Sequence, residues 1–308
     1  KRLMPASQLE SSVLFGRKGQ SLAAALRNSQ TGIIAEHKRR SPSKETINQN
    51  TNVGQVALGY ENAGVCGMSV LTDIKYFGGS LEDLVLARAS VQMPLLRKEF
   101  IIDEYQILEA KAYGADVILL IAAVLTRGEI KSLSEFAKQI GLDVLLEVHN
   151  EEELHKSIMP SLDILGVNNR DLKTFTVSLE TSKSLAKLIP NEFVKVSESG
   201  ISSVAAIKDL KPFGYQGFLI GENFMRTDNP GKSAMVFIDE LKKYQYSING
   251  NNLFSPAQLP SSNKVSFNQK DLLSTLVNTR KYYQDHADDD PNILRPGVLG
   301  TQGVSVED

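Results

Sequence analysis

An alternation constrains this chain more than any other feature. From residue 31 to about 243, a short apolar run, a loop and an amphipathic helical segment follow one another eight times. The runs are GIIAEHK at 32–38, GMSVLTD at 67–73, PLLRKEF at 94–100, DVILLIA at 116–122, DVLLEVH at 143–149, DILGVNN at 163–169, FVKVSES at 193–199 and GFLIGEN at 217–223. Apolar residues recurring at helical spacing predict helices over 20–30, 53–64, 104–115, 129–141, 178–189 and around 230–243. Strands separated by helices pair in parallel, because parallel neighbours need a crossover. Runs that are apolar on both faces belong to a sheet covered on both sides. Eight units in roughly 210 residues therefore predict an α/β fold, a (β/α)8 TIM barrel. The rival, an open doubly wound sheet, usually carries a glycine-rich phosphate turn after its first strand. Here that turn is Ser41-Pro42-Ser43-Lys44.

The barrel is expected to span 31–244, with 1–30 as an N-terminal extension that is irregular to residue 18. Residues 245–308 fall outside the alternation. The Asn-, Ser- and Pro-rich part from 247 to 264 reads as linker. Residues 266–286 read as one amphipathic helix with Leu272, Leu273, Leu276 and Val277 on a face, and the remainder reads as disordered.

Composition excludes several classes of function. The net charge of −2 leaves no basic footprint for nucleic acid. No apolar run approaches the roughly 20 residues of a membrane span. The single cysteine, Cys66, rules out an internal disulfide, suits a reducing cytoplasm and reads as packing filler. Four scattered histidines offer no metal-ligand spacing.

Barrel enzymes build their sites at the C-terminal ends of the strands. Those ends here carry Glu36, Lys38 and Ser41; Arg97, Lys98 and Glu99; Glu147 and His149; Asn168, Asn169 and Arg170; Glu198, Ser199 and Gly200; Gly221, Glu222 and Asn223. The opposite ends carry mainly Gly, Asp and Pro. Residues two apart on a strand share a face, so Glu36 and Lys38 point the same way. Lys38 and Lys98 could protonate a carbonyl or bind a carboxylate, and Glu36 and Glu147 could accept protons. Arg170 suits bidentate grip of a carboxylate. Phe77 and Phe100 follow the second and third runs and could face an aromatic substrate. Gly200 and Gly221 let backbone approach a ligand closely, next to helix starts that favour anions. With Ser41 across the mouth, they point to a small phosphorylated substrate.

IIAEHKRRSPSK, SVLTDIKYFGGS, LLRKEFIIDEYQ, LLEVH, GVNNRDLKTF, VSESGI and FLIGENFM together resemble the indole-3-glycerol-phosphate synthase family of tryptophan biosynthesis, in its order and spacing, over about 20–243. The resemblance implies a barrel that needs neither cofactor nor metal. It implies conversion of 1-(2-carboxyphenylamino)-1-deoxyribulose 5-phosphate to indole-3-glycerol phosphate, a carboxy-lyase reaction that releases carbon dioxide and water. By the same resemblance, Lys98 is the general acid at the ribulose carbonyl and Glu147 manages proton transfer in dehydration. Lys38 and Glu36 orient the anthranilate carboxylate and share in proton transfer. Asn168, Arg170, Glu198 and Ser199 position the substrate, with Asn168 and Ser199 counted among the catalytic set. Ser41, Gly200, Gly221 and Glu222 cradle the phosphate, the last three largely through backbone N–H groups. Other tryptophan-pathway enzymes are the partners it suggests. Which lysine acts at which step stays open.

Three departures from the family pattern stand out. Glu99 replaces a frequent Asp, and Glu45 a frequent Gly. The helical stretch that normally precedes the segment 1–18 is expected to be missing. An alternative reading is a sugar-phosphate isomerase resembling phosphoribosylanthranilate isomerase, which would share the phosphate cradle without needing Lys38, Lys98 and Glu147. A non-catalytic binding domain would not be expected to keep both Lys98 and Glu147.

Overall fold

The computed structural model describes residues 4–248. The helix expected at 266–286, the end read as disordered and the expected linker beyond Ile248 lie outside the described residues. Eight strands form a closed parallel barrel in sequence order: β1 Ile33–His37, β2 Gly67–Leu71, β3 Leu95–Lys98, β4 Val117–Ile121, β5 Asp143–Val148, β6 Ile164–Asn168, β7 Val194–Glu198 and β8 Gly217–Ile220, with β8 pairing back onto β1. The (β/α)8 fold is therefore as the alternation requires.

The helices are α1 Ala6–Glu10, α2 Leu22–Arg27, α3 Val53–Ala63, α4 Ile74–Phe77, α5 Leu81–Ser90, α6 Glu104–Ala112, α7 Arg127–Gln139, α8 Glu151–Ser157, α9 Glu180–Leu185, α10 Val204–Leu210, α11 Glu222–Met225 and α12 Pro230–Ile248. Local chemistry sets many of their starts. Asn52, Ser80, Thr126, Asn150 and Ser203 each accept a backbone N–H with the side chain at the helix N-terminus. Three expectations shift. The segment 1–18 is not wholly irregular, because α1 seats Leu9 in the core beside α6. The helix expected at 178–189 shortens to α9. Finally, α12 runs on to Ile248, over residues read as linker.

Strand alternation divides the core into two layers. Ile33, Ala35, Met68, Val70 and Leu95 face outward into the layer shared with the helices. Ile34, Leu96, Leu119, Leu145, Ile164, Val196 and Leu219 fill the barrel interior. α2 plugs the N-terminal end of that interior with Leu22, Ala23 and Leu26. A Cβ at Gly67 would stand 2.7 Å from Leu22 Cδ1, and one at Gly217 would stand 3.2 Å from Leu26 Cδ1. The two strands that open with glycine thus make room for the plug.

Asp116, at the foot of β4, ties this floor down. It accepts from Arg17, from Gln20 N at 2.8 Å, from Arg88 Nη1 at 2.8 Å and from Leu95 N at 2.9 Å. With the floor filled, the C-terminal end is the open mouth. Among the described residues, no helix is long and apolar enough to cross a membrane.

Candidate active site

The mouth holds a pocket of about 620 Å³. It is lined by every residue singled out from the strand ends as catalytic, substrate-binding or phosphate-binding: Glu36, Lys38, Ser41, Phe77, Lys98, Phe100, Glu147, Asn168, Arg170, Glu198, Ser199, Gly200, Gly221 and Glu222. The pleat explains which neighbours are left out. Lys98 turns inward, while Arg97 points into the outer layer and donates to Glu109 at 2.7 Å and Thr72 at 3.1 Å. Asn169, next to Asn168, bonds Ser197 at 2.9 Å and Ser182 at 2.8 Å behind the sheet, and so supports the barrel wall.

The centre is a lattice of opposite charges. Lys98 Nζ lies 3.1 Å from Glu147 Oε2 and also donates to Glu198. Lys38 Nζ lies 2.8 Å from Glu36 Oε1. Asn168 Nδ2 donates to Glu147 Oε1 at 3.1 Å, and Ser69 donates to Glu36 at 3.5 Å. The three carboxylates are buried and would be costly there without these cations.

Their protonation differs because their surroundings differ. Burial disfavours the charge on Lys98, but Glu198, Glu147 and Glu36 outweigh it and hold the ammonium well above the ordinary lysine value. Burial also opposes the charge on Glu147, yet Lys98, His149 and Asn168 bring it below the carboxylate range. Glu36 goes down as well, with Lys38 and then Lys98 overcoming its burial. Glu198 goes up, because burial and the charge of Glu147 exceed the pull of Lys98. The set contains a fixed cation, two ionised carboxylates and one carboxyl disposed to hold a proton. Separated pKa values of this kind are what acid–base chemistry in a shared site requires.

Two glycines leave space for these carboxylates. A Cβ at Gly166 would run into Glu198 Oε1, and one at Gly221 would stand 2.5 Å from Glu36 Oε1.

Both apolar and polar residues line the walls around the lattice. Phe77 and Phe100 stand with ring centroids 6.3 Å apart, and Leu119 and Ile121 of β4 also line the pocket. Ser41, Ser43, Gly200, Gly221 and Asn223 line it as well. Ser199 and Gly200 both have positive φ, 65° and 78°, so the chain turns sharply at the end of β7. α11 begins immediately after Gly221, and the amides of a first turn have no partner within the helix. The Glu222 side chain is held by Lys44 at 2.9 Å, so its carboxylate is neutralised beside that turn. Arg170 Nη1 donates to the Phe175 carbonyl at 3.2 Å, which holds the loop after β6 at the rim. Among the described residues, no group of His, Cys, Asp and Glu forms a metal site.

The family model for indole-3-glycerol phosphate synthase matches residues 1–236. The chain belongs to the indole-3-glycerol phosphate synthase family. A relative of that name from Bacteroides thetaiotaomicron is 45% identical over 242 residues, covering 79% of this chain and 93% of its own length. Another, from Koribacter versatilis, is 48% identical over 206 residues, 67% of this chain and 79% of its own. Among solved structures, 3-hexulose-6-phosphate synthase from Salmonella typhimurium superposes with a TM-score of 0.56 at 14% identity, covering 69% of this chain and 99% of that one. KGPDC from Streptococcus mutans gives 0.52 at 15%, covering 68% and 97%. At such identities the likeness shows the fold alone.

The synthase pocket also has walls that charge-based reading of the strand ends passes over. Leu71, Leu119, Ile121 and Leu219 line it, as do Leu172 and Phe175 from the loop after β6. Leu119 and Ile121 were within reach of the pleat rule, being inward by alternation. Leu172 and Phe175 carry no local signal, because only the folded loop brings them over the mouth.

Proposed function

We infer that the chain performs the reaction of its family. It closes the ring of 1-(2-carboxyphenylamino)-1-deoxyribulose 5-phosphate onto the ribulose carbonyl and releases carbon dioxide and water to leave indole-3-glycerol phosphate. The observation that carries the residue assignment is the inward set Lys98, Glu147, Glu198, Glu36 and Lys38, gathered from four strands with alternating charge. The isomerase alternative has no comparable need for that set.

In this reading the substrate lies across the mouth. Its phosphate rests on the amides of Gly200, Gly221 and Glu222 with the Ser41 hydroxyl opposite, where backbone N–H groups favour an anion. Its aromatic ring lies against Phe77, Phe100 and the β4 wall. The anthranilate carboxylate meets Lys38, which Glu36 orients, with Arg170 on the rim. Anchoring both ends folds the flexible ribulose chain, so that the ring carbon and the carbonyl carbon meet. Lys98 donates its proton to the developing alkoxide as the carbon–carbon bond forms, and charge stabilisation there lowers the barrier. Loss of carbon dioxide restores the aromatic electrons. The hydroxyl then leaves as water with a second proton, supplied by Lys38, and Glu147 takes up the proton released from the ring system. Asn168 fixes Glu147. Glu198 holds Lys98, and Ser199 sets the turn at the end of β7.

Contact with other tryptophan-pathway enzymes and a cytoplasmic location belong to the same proposal and rest on the biosynthetic relatives. The direct test is fluorescence detection of indole-3-glycerol phosphate formed from the carboxyphenylamino substrate. Lys98→Ala and Glu147→Gln serve as controls. Absence of product from the intact chain, or full activity in both variants, would overturn the assignment.

A further inference from the structure

Behind Glu147 stands a residue that the mechanism above does not use. His149 lies two positions further along the same strand direction, with its side chain 8% exposed. Its Nε2 is 3.3 Å from Glu147 Oε1, and its Nδ1 is 3.0 Å from Glu153 Oε2. Glu153 is itself locked. It accepts from His149 N at 2.8 Å through Oε2 and from Asn150 Nδ2 at 3.0 Å through Oε1. The Asn150 side chain in turn caps α8 by accepting Glu153 N at 2.9 Å. The helix start, the acid and the imidazole therefore form one rigid unit whose free nitrogen faces the catalytic carboxylate.

We propose that His149 is a positioning residue for the ring-closing reaction: held by Glu153, its imidazolium fixes the orientation of Glu147, the carboxylate that takes up a proton. This rests on Glu147 being the proton acceptor.

The geometry favours a positive ring: Nδ1 bonds Glu153, and Nε2 lies at ion-pair distance from Glu147 Oε1 without hydrogen-bond alignment. Both nitrogens face carboxylate oxygens, and only an imidazolium offers an N–H on each side. The charged groups acting on the ring are Glu147 from its own strand and Glu153 from α8. The strand partners of Glu147 in register are Ile121 and Gly166, both uncharged, and Asn168 is neutral. Helix α7, packed on the outside of β5, buries Ile130, Leu133 and Ala137. Burial works against the ring's charge, but the two carboxylates outweigh it and push His149 up to about 9. Glu147 is thus held between Lys98 at Oε2 and His149 with Asn168 at Oε1. Removing the imidazolium leaves Glu147 ionised, because Lys98 still stands at Oε2, but takes away the charge that fixes Oε1 on one side, so the carboxylate can turn from the reacting atoms.

The test is the pH dependence of kcat and KM from about pH 6 to 10.5 for wild type, His149→Gln, Glu153→Gln and Glu147→Gln. It is combined with 15N histidine resonances of the full chain, which has four histidines. Glutamine keeps a donor but not the charge. The wild type is expected to lose kcat through an alkaline limb near pH 9. His149→Gln should lack that limb, with kcat about tenfold lower and KM within about twofold. Glu153→Gln should move the limb to lower pH. The resonance lost in His149→Gln should titrate near 9 in the wild type. A wild-type kcat and pH profile in His149→Gln, or titration of that resonance at or below the ordinary 6.5, overturns the proposal. The resonance whose titration moves to lower pH in Glu153→Gln identifies His149 independently, so the assignment stands even if His149→Gln fails to fold. Full activity in Glu147→Gln would instead overturn the assignment of Glu147, a result that the other variants distinguish.

Discussion

Lys98 Nζ stands 3.1 Å from Glu147 Oε2 and also donates to Glu198, joining side chains 49 and 100 residues away in the chain. One ammonium therefore holds two strands of the mouth together and fixes the charge state of both acids. On the proposed assignment, catalysis and local stability share this contact, and its removal should be felt in both.

Lys98→Ala should lower kcat by about 10²–10⁴. It should also reverse the pH dependence that Glu147 contributes. Without the cation, the buried Glu147 rises and Glu198, already raised, rises further, so the folded variant binds more protons than the unfolded chain. Stability then increases as pH falls. The melting temperature of the variant, compared with wild type at about pH 8 and pH 5, should show the smaller deficit at the lower pH. An equal deficit at both would mean that the carboxylates do not depend on Lys98.

Gly166→Ala places a methyl against Glu198 Oε1 and 3.0 Å from Leu145 Cδ2, inside the packed barrel. Overpacking of this kind costs about 1–3 kcal/mol. The variant should still fold, but Glu198 must leave its place beside Lys98. Denaturant midpoints and kcat measured together should both fall, and a fall in stability with unchanged kcat would separate Glu198 from the chemistry.

Asp116→Ala probes the opposite end. It strips Arg88, itself buried, of its carboxylate and frees the N-terminal segment held through Arg17 and Gln20. Breaking a buried pair by removing one partner costs about 3–5 kcal/mol. Urea unfolding should show that loss, while kcat of the folded fraction stays at the wild-type value because the floor lies away from the mouth.

His37 faces outward from β1 and is buried; burial first, then the charge of Arg39, push it down to about 4. Its folded value lies below the unfolded one, so the unfolded chain binds the extra proton between about 4 and 6.5. Wild-type stability should therefore drop as pH falls through that window, by on the order of 2–3 kcal/mol more than in His37→Gln. Parallel denaturant titrations at the two ends of the window check the difference.

Much of the candidate site was legible as a pattern. Charges emerging at one end of the apolar runs located the mouth, and the spacing of two separated Glu36 and Lys38 from their outward neighbour His37. The same rule, applied to β4, would have found Leu119 and Ile121, which a search for ionisable groups ignores. His149 was visible at a strand end but not as the clamp on Glu147. That depends on Glu153 and Asn150, whose positions follow from where α8 starts.

Alternation, capping residues and strand-end charge are local properties, written along the chain at spacings of two and about 3.6 residues. They were enough for the barrel, for the end that carries the site and for the inward-facing set. Pairings across the barrel are of another kind. Lys98 meets Glu147 and Glu198 rather than Glu36 first, Gly166 yields space to Glu198, and Asp116 gathers Arg17 and Arg88. Each of these follows from closure of β8 onto β1 and from the register between strands. Those quantities depend on how all eight strands and the α2 plug pack at once, and no single stretch of residues contains them.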